Sequence, residues 1–198
     1  DAYPYLAGQT GLGALIIPGW AQDGGREAML RRFGEPAARA RIASEAEQVI
    51  RARFGGPESV HVTTIKRQLT DVMREMNVSA GEAVIRLLEE RPMGAILHFG
   101  AEPDLVAILQ HPATAIACDC GATSEPASHP RYYGSFPRVL GRYVRQTNAL
   151  TWQEAIRKMT ALPAATIGMT DRGLLAVGMA ADITVFDPAS VIDRATFE

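Results

Sequence analysis

Cysteine and histidine are scarce here: of 198 residues, two are cysteine and four histidine. The two cysteines, Cys118 and Cys120, sit in a Cys-x-Cys arrangement that does not build a disulfide framework. A reducing, cytoplasmic compartment is therefore expected. The histidines form no H-x-H and no H-E-x-x-H motif, so no metal site can be read from spacing. Charge of one sign is also lacking. Lys and Arg number 20 against 22 Asp and Glu, a net charge of −2, which excludes a general polyanion binder; no nucleic-acid partner is expected. No apolar run approaches the roughly 18 residues of a membrane span, and no signal-peptide pattern opens the chain, so no membrane partner is expected either. With 47% hydrophobic residues, the chain reads as a soluble globular protein of one or two domains.

The stretch richest in chemistry runs from Thr114 to Gly141. An apolar run, Ala115 to Cys118, leads into Asp119, then Gly121, a polar loop, His129-Pro130-Arg131 and a helix opened by Ser135 and Pro137. A short apolar run bounded by turn residues predicts a strand buried on both faces, as in a parallel sheet. In α/β folds the chemistry lies at the carboxyl ends of such strands. By residue type alone, Asp119 reads as a cap or turn former. What draws it toward function is Arg131, followed by Tyr132 and Tyr133. A planar guanidinium near a carboxylate-bearing pocket suits bidentate capture of a substrate carboxylate.

This run, ACDCGATSEPASHPRYYGSFPRVLGRYVR, resembles the segment around the catalytic Asp of the N-acyl-D-amino-acid deacylases (D-aminoacylases) of the amidohydrolase superfamily. The likeness continues through LTWQEAIRKMTALPAATIGMTDRGLLAVGMAADITVFDP and through DAYPYLAGQTGL at the start. The resemblance implies an α/β fold: the C-terminal fragment of a TIM barrel, with a mainly helical insertion and part of a small β-domain. It implies four segments: 1–24, the end of barrel strand 7 and its loop; 25–93, the insertion; 94–168, the last barrel βα units; and 169–198, strands of the β-domain.

The activity implied is hydrolysis of the amide of an N-acyl-D-amino acid, with Asp119 carrying the proton from the attacking water to the leaving amine. Arg131 would hold the substrate carboxylate, with Tyr3 beside it. Zinc is implied for the complete enzyme, its ligands lying upstream of Asp1; none is expected to be bound by this fragment alone, which would be inactive. The expected partners are the small-molecule substrate and either the missing N-terminal half or a second copy meeting exposed strand edges. The chain departs from the family where Cys118-Asp119-Cys120 replaces the usual Ser-Asp-Gly, and where Gly100 and Gln9 replace a pocket methionine and serine. Those changes bear on substrate preference more than on reaction class. Two alternatives remain: a non-catalytic remnant acting as an assembly module, and an amidohydrolase for a different amide.

The rest of the chain is mostly helical in pattern. Met29, Leu30 and Phe33 space one helix. Pro36 opens a longer one with Ile42, Ala46, Val49 and Ile50 inward, stopped at Gly55-Gly56-Pro57. Ile65, Leu69, Val72, Met73 and Met76 space a third. Ser79 and Glu82 form a capping box ahead of Val84, Leu87 and Leu88, as do Thr151 and Glu154 ahead of Ala155, Ile156 and Met159. Gly94–Gly100 is expected as a strand, with His98 read as a satisfied core residue rather than a ligand. Glu102 to Gln110 is a helix stopped at His111. Leu174–Val177 and Ile183–Phe186 are expected as two strands about Gly178. Cys118 and Cys120 are read as small buried apolar residues, not as metal ligands.

Overall fold

The computed structural model describes residues 1–121 and 129–197; the polar loop expected between Gly121 and His129 lies outside the described residues. Two compact units result: residues 7–99, and residues 1–6 together with 100–197. The sequence reading placed its cuts at 24/25, 93/94 and 168/169.

The unit of residues 7–99 is a four-stranded antiparallel sheet packed on helices. The strands are β1 (Ala7–Gly11), β2 (Val60–Val62), β3 (Arg67–Gln68) and β4 (Gly94–His98), in the order β1-β4-β2-β3. Gln9 and His61 both pair with Ile96 from opposite sides, and Gly8 and Val60 both pair with Leu97. Alternation along each strand sends Val60, Val62, Ala95 and Leu97 to one face, where all four are fully buried. That face meets helices α1 (Leu12–Ile16), α2 (Gly25–Gly34), α3 (Pro36–Phe54), α4 (Leu69–Met76) and α5 (Ala80–Glu90), which supply Leu12, Ile16, Phe33, Ile42, Ala46, Ile50, Leu69, Val84 and Ile85 to a single core.

Local chemistry sets the helix ends. Pro36 stands at the first turn of α3, where its missing N–H costs nothing, and Gly55 closes the helix at φ 81°. Ser79 Oγ accepts the Glu82 N–H at 3.3 Å to open α5. At Gly81 a Cβ would collide with the Ala43 backbone, so the crossing of α3 and α5 is as close as it is because that residue is glycine. Arg39 of α3 pairs with Glu82 and Glu89 of α5 at 2.7 and 2.6 Å. That hydrogen bond, aided by Arg86, holds the Glu82 carboxyl below its usual range.

Two expectations for this unit are corrected. The third helix begins only at Leu69; Ile65 lies in a turn, because residues 60–62 and 67–68 form a hairpin against β4. His98 is exposed at the end of β4 rather than part of the core.

The unit of residues 1–6 and 100–197 is mainly helical: α6 (Glu102–Gln110), α7 (Arg131–Arg138), a wider π-helical continuation (Val139–Gln146), α8 (Trp152–Met159) and α9 (Ala161–Thr166). Its core gathers Leu105, Leu109, Ile116, Val139, Leu140, Tyr143, Val144, Leu150 and Ala155. Thr151 caps α8, accepting the Glu154 N–H at 3.2 Å.

The sequence reading differs from the structure in three places here. The strand expected over residues 115–118 is reduced to an isolated parallel bridge, Ala2 to Ile116. The helix after the HPR motif opens at Arg131, one turn before Ser135, with Pro137 inside it. Leu174–Val177 and Ile183–Phe186 form no strands. Leu174, Leu175, Val177, Ile183 and Val185 are instead exposed. An extended apolar segment becomes a strand only when its backbone groups find a ladder partner, and none lies among the described residues.

Candidate active site

Residues 1–3 and 115–119 run side by side. Ala2 donates to the Ala115 carbonyl at 3.0 Å and accepts from the Ala117 N–H at 2.9 Å. Both segments run the same way, so Tyr3 and Asp119 emerge at the same, carboxyl, end of the bridge.

The run before Asp119 is tied down by Lys158 of α8. Its side chain is fully buried and its ammonium donates to the carbonyls of His111 and Thr114, while its own carbonyl accepts the Ile116 N–H at 2.9 Å. That Lys158 reaches back more than forty positions has no local signal in the sequence.

Asp119 sits at φ 45°, in the left-handed region that Asp tolerates better than most residues. The same turn draws the flanking Cα atoms to 5.1 Å, and Cys118 and Cys120 are joined in a disulfide. In an extended strand the same two residues would stand about 6.6 Å apart, at the far limit of bridging. The cysteines are therefore bonded rather than free apolar residues, and their number no longer argues for a reducing compartment.

Asp119 is largely exposed, 67% by side chain, while its partner Arg131 is 7% exposed; Asp119 Oδ2 accepts from Arg131 Nη1 at 2.8 Å. The guanidinium lies over the Tyr3 ring, 4.9 Å from its centre. All three residues picked from the sequence thus converge. Arg131 Nε is buried and finds no hydrogen-bond partner among the described residues.

Behind this group lies a second one that the sequence reading passed over. His129 is fully buried, and its Nδ1 accepts the Arg131 backbone N–H at 3.0 Å. Tyr5 donates its hydroxyl to Asp193 Oδ2 at 2.7 Å, and Arg138 reaches the same oxygen at 3.4 Å while lying over the Tyr5 ring. Burial, then the Asp193 carboxylate, raise the Tyr5 hydroxyl well above the ordinary tyrosine range. A Cβ at Gly134 would fall on both the Asp193 carboxylate and the Tyr5 hydroxyl, so only glycine lets α7 approach them. Tyr5 and Asp193 are 188 positions apart, and no spacing rule joins them.

Among the described residues no group of three or more His, Cys, Asp or Glu side chains converges as a metal site. No helix among them is long and apolar enough to cross a membrane.

A parallel bridge thus carries an acid at its carboxyl end, joined to a buried arginine on a tyrosine face; whole-chain comparison gives the family. Residues 5–198 match the model of the amidohydrolase family, and the chain belongs to that family. Among curated relatives it is 40% identical over 159 residues to an N-acyl-D-glutamate deacylase of Alcaligenes xylosoxydans xylosoxydans, covering 79% of this chain and 31% of the relative. It is 43% identical over 132 residues to a D-aminoacylase of the same organism, covering 67% and 26%.

Solved structures agree. The N-acyl-D-glutamate deacylase of Bordetella bronchiseptica, complexed with zinc and a phosphonate mimic of the tetrahedral intermediate, matches with TM-score 0.71 and 30% identity. A D-aminoacylase with a binuclear metal centre matches with TM-score 0.73 and 33% identity. Both matches cover 100% of this chain and 34% of the neighbour. The chain thus spans about a third of the length of the relatives it matches.

Proposed function

We propose that this chain supplies the proton-carrying carboxylate and the substrate-carboxylate clamp of an N-acyl-D-amino-acid hydrolase, as the C-terminal part of a longer polypeptide. The observation that carries the proposal is the Asp119–Arg131 pair on the Tyr3 face. Arg131 offers a buried, fixed cation to the α-carboxylate of the substrate, and a carboxylate–guanidinium pair in so shielded a place is strong and orientation-specific. Without substrate the same guanidinium holds Asp119. An arriving carboxylate takes over that contact and leaves Asp119 to accept a proton from the attacking water, as water oxygen bonds to the amide carbon. Asp119 then returns the proton to the nitrogen as the C–N bond breaks. Proton transfer by a positioned carboxylate contributes typically about 10²–10⁴-fold.

Zinc belongs to the proposed complete enzyme by kinship with the zinc-complexed relative, its ligands coming from outside this chain. The altered positions Cys118, Cys120, Gly100 and Gln9 bear on which acyl amino acid is preferred.

A second reading, a non-catalytic assembly module, is favoured by the exposed apolar residues between Leu174 and Val185, which invite a partner chain. One experiment separates the two. Co-expression with an N-terminal amidohydrolase part carrying H-x-H, plus zinc, is expected to yield deacylation of N-acetyl-D-amino acids. A stable complex with no turnover of any N-acyl-D-amino acid would favour the assembly module.

A further inference from the structure

His129 is fully buried, yet the reaction as described does not use it. The geometry assigns it the task of positioning Arg131, an inference that rests on the reading of Arg131 as the substrate-carboxylate clamp. Two routes lead from the imidazole to Arg131. Through the backbone, Nδ1 accepts the Arg131 N–H at 3.0 Å. That N–H belongs to the first residue of α7, where no carbonyl within the helix can serve it. Through the side chain, the imidazole meets the Tyr3 ring edge-on with centroids 6.0 Å apart, and Tyr3 is the platform beneath the guanidinium.

The ring is itself held edge-on by Tyr5 at 5.4 Å and Phe197 at 5.0 Å. With Nε making no bond among the described residues, the Asp119 pair, the Tyr3 platform and the backbone contact together set where the guanidinium points. An Nδ1 that accepts carries no proton, so the imidazole is neutral with its hydrogen on Nε2. Packing alone would be served as well by phenylalanine; the acceptor is what histidine adds.

The test uses two variants in the complete enzyme. His129→Phe keeps the ring and removes the acceptor; His129→Asn removes the ring and keeps an acceptor near the place of Nδ1. Kinetics are measured on N-acetyl-D-glutamate and on N-acetyl-4-aminobutyrate, the same compound without its α-carboxylate. His129→Phe is expected to raise KM for the first about tenfold, the size of effect one lost hydrogen bond gives, with kcat little changed and the second compound unaffected. His129→Asn is expected to restore most of that loss. Equal losses on both compounds, or a phenylalanine variant that outperforms asparagine, would overturn the assignment.

A readout independent of turnover accompanies this. In ¹⁵N-labelled enzyme, Nδ1 of His129 should resonate as an unprotonated acceptor, and the Arg131 amide should exchange slowly, a protection that His129→Phe abolishes and His129→Asn keeps. Rapid exchange in the wild type, or a protonated Nδ1, would overturn the assignment even if the variants do not fold. Should the wild type hydrolyse no N-acyl-D-amino acid, the parent reading fails, and the exchange data still decide whether His129 holds Arg131.

Discussion

The two compact units of this chain solve the problem of stability differently. Residues 7–99 close a core of their own: both the buried face of the sheet and the apolar stripes of the helices are spent within the unit. Residues 1–6 and 100–197 carry the proposed acid, arginine and tyrosine, yet leave Leu174, Leu175, Val177, Ile183 and Val185 in solvent. The contrast teaches that a self-sufficient core and a functional site need not coincide. The unit of residues 7–99 closes on its own core, whereas the unit with the acid and the arginine leaves apolar side chains exposed.

That contrast can be broken or sharpened. The largest effect is expected from Phe33→Ala, which empties a fully buried position of the 7–99 core and should cost about 3–5 kcal/mol in denaturant unfolding. A loss below 1 kcal/mol would mean that this core is not closed.

A smaller effect is expected from acid. The Glu82 carboxyl titrates below its ordinary value of 4.5 because Arg39, and then Arg86, bind its charged form. Its contribution is therefore complete above that value and lost as pH falls through the lower folded-state pKa. Glu82→Gln should remove about 1 kcal/mol at neutral pH and flatten the acid limb of the stability curve. An unchanged acid limb would remove the ion pair from the account.

The smallest effect is expected from Leu175→Ser with Val185→Ser, which should shift the stability of the chain alone by less than about 0.5 kcal/mol, since both residues are exposed. The same pair should weaken association with an N-terminal part in a pull-down. Marked destabilisation of the isolated chain would show that the strip is already partnered.

Much of the helical pattern of residues 7–99 was legible because its signals are local. Pro36, Gly55, Ser79 and Glu82 each act within one helical turn, and the stripe of Ile42, Ala46 and Ile50 needs only a period. The hairpin at residues 60–68 was not legible, since its partner β4 lies some thirty residues away and the run through Ile65 fits a helical period as well as a strand. At the site, Asp119 and Arg131 stand out by residue type and position, Tyr3 and the three roles come only through resemblance to a family, and their convergence is a matter of the fold. Lys158, Tyr5, Asp193 and the acceptor role of His129 went unread because each depends on a contact that the order of residues does not encode. The Cys118–Cys120 disulfide escaped because it requires the left-handed turn at Asp119, which a strand-like run of apolar residues conceals.

The most direct trial of the proposed chemistry is the steady-state rate of the complete zinc-loaded enzyme on an N-acetyl-D-amino acid, wild type against Asp119→Asn. A fall of about 10³-fold or more in kcat, with KM raised little, is the predicted result. Turnover by the asparagine variant within tenfold of wild type would contradict the assignment of the proton carrier.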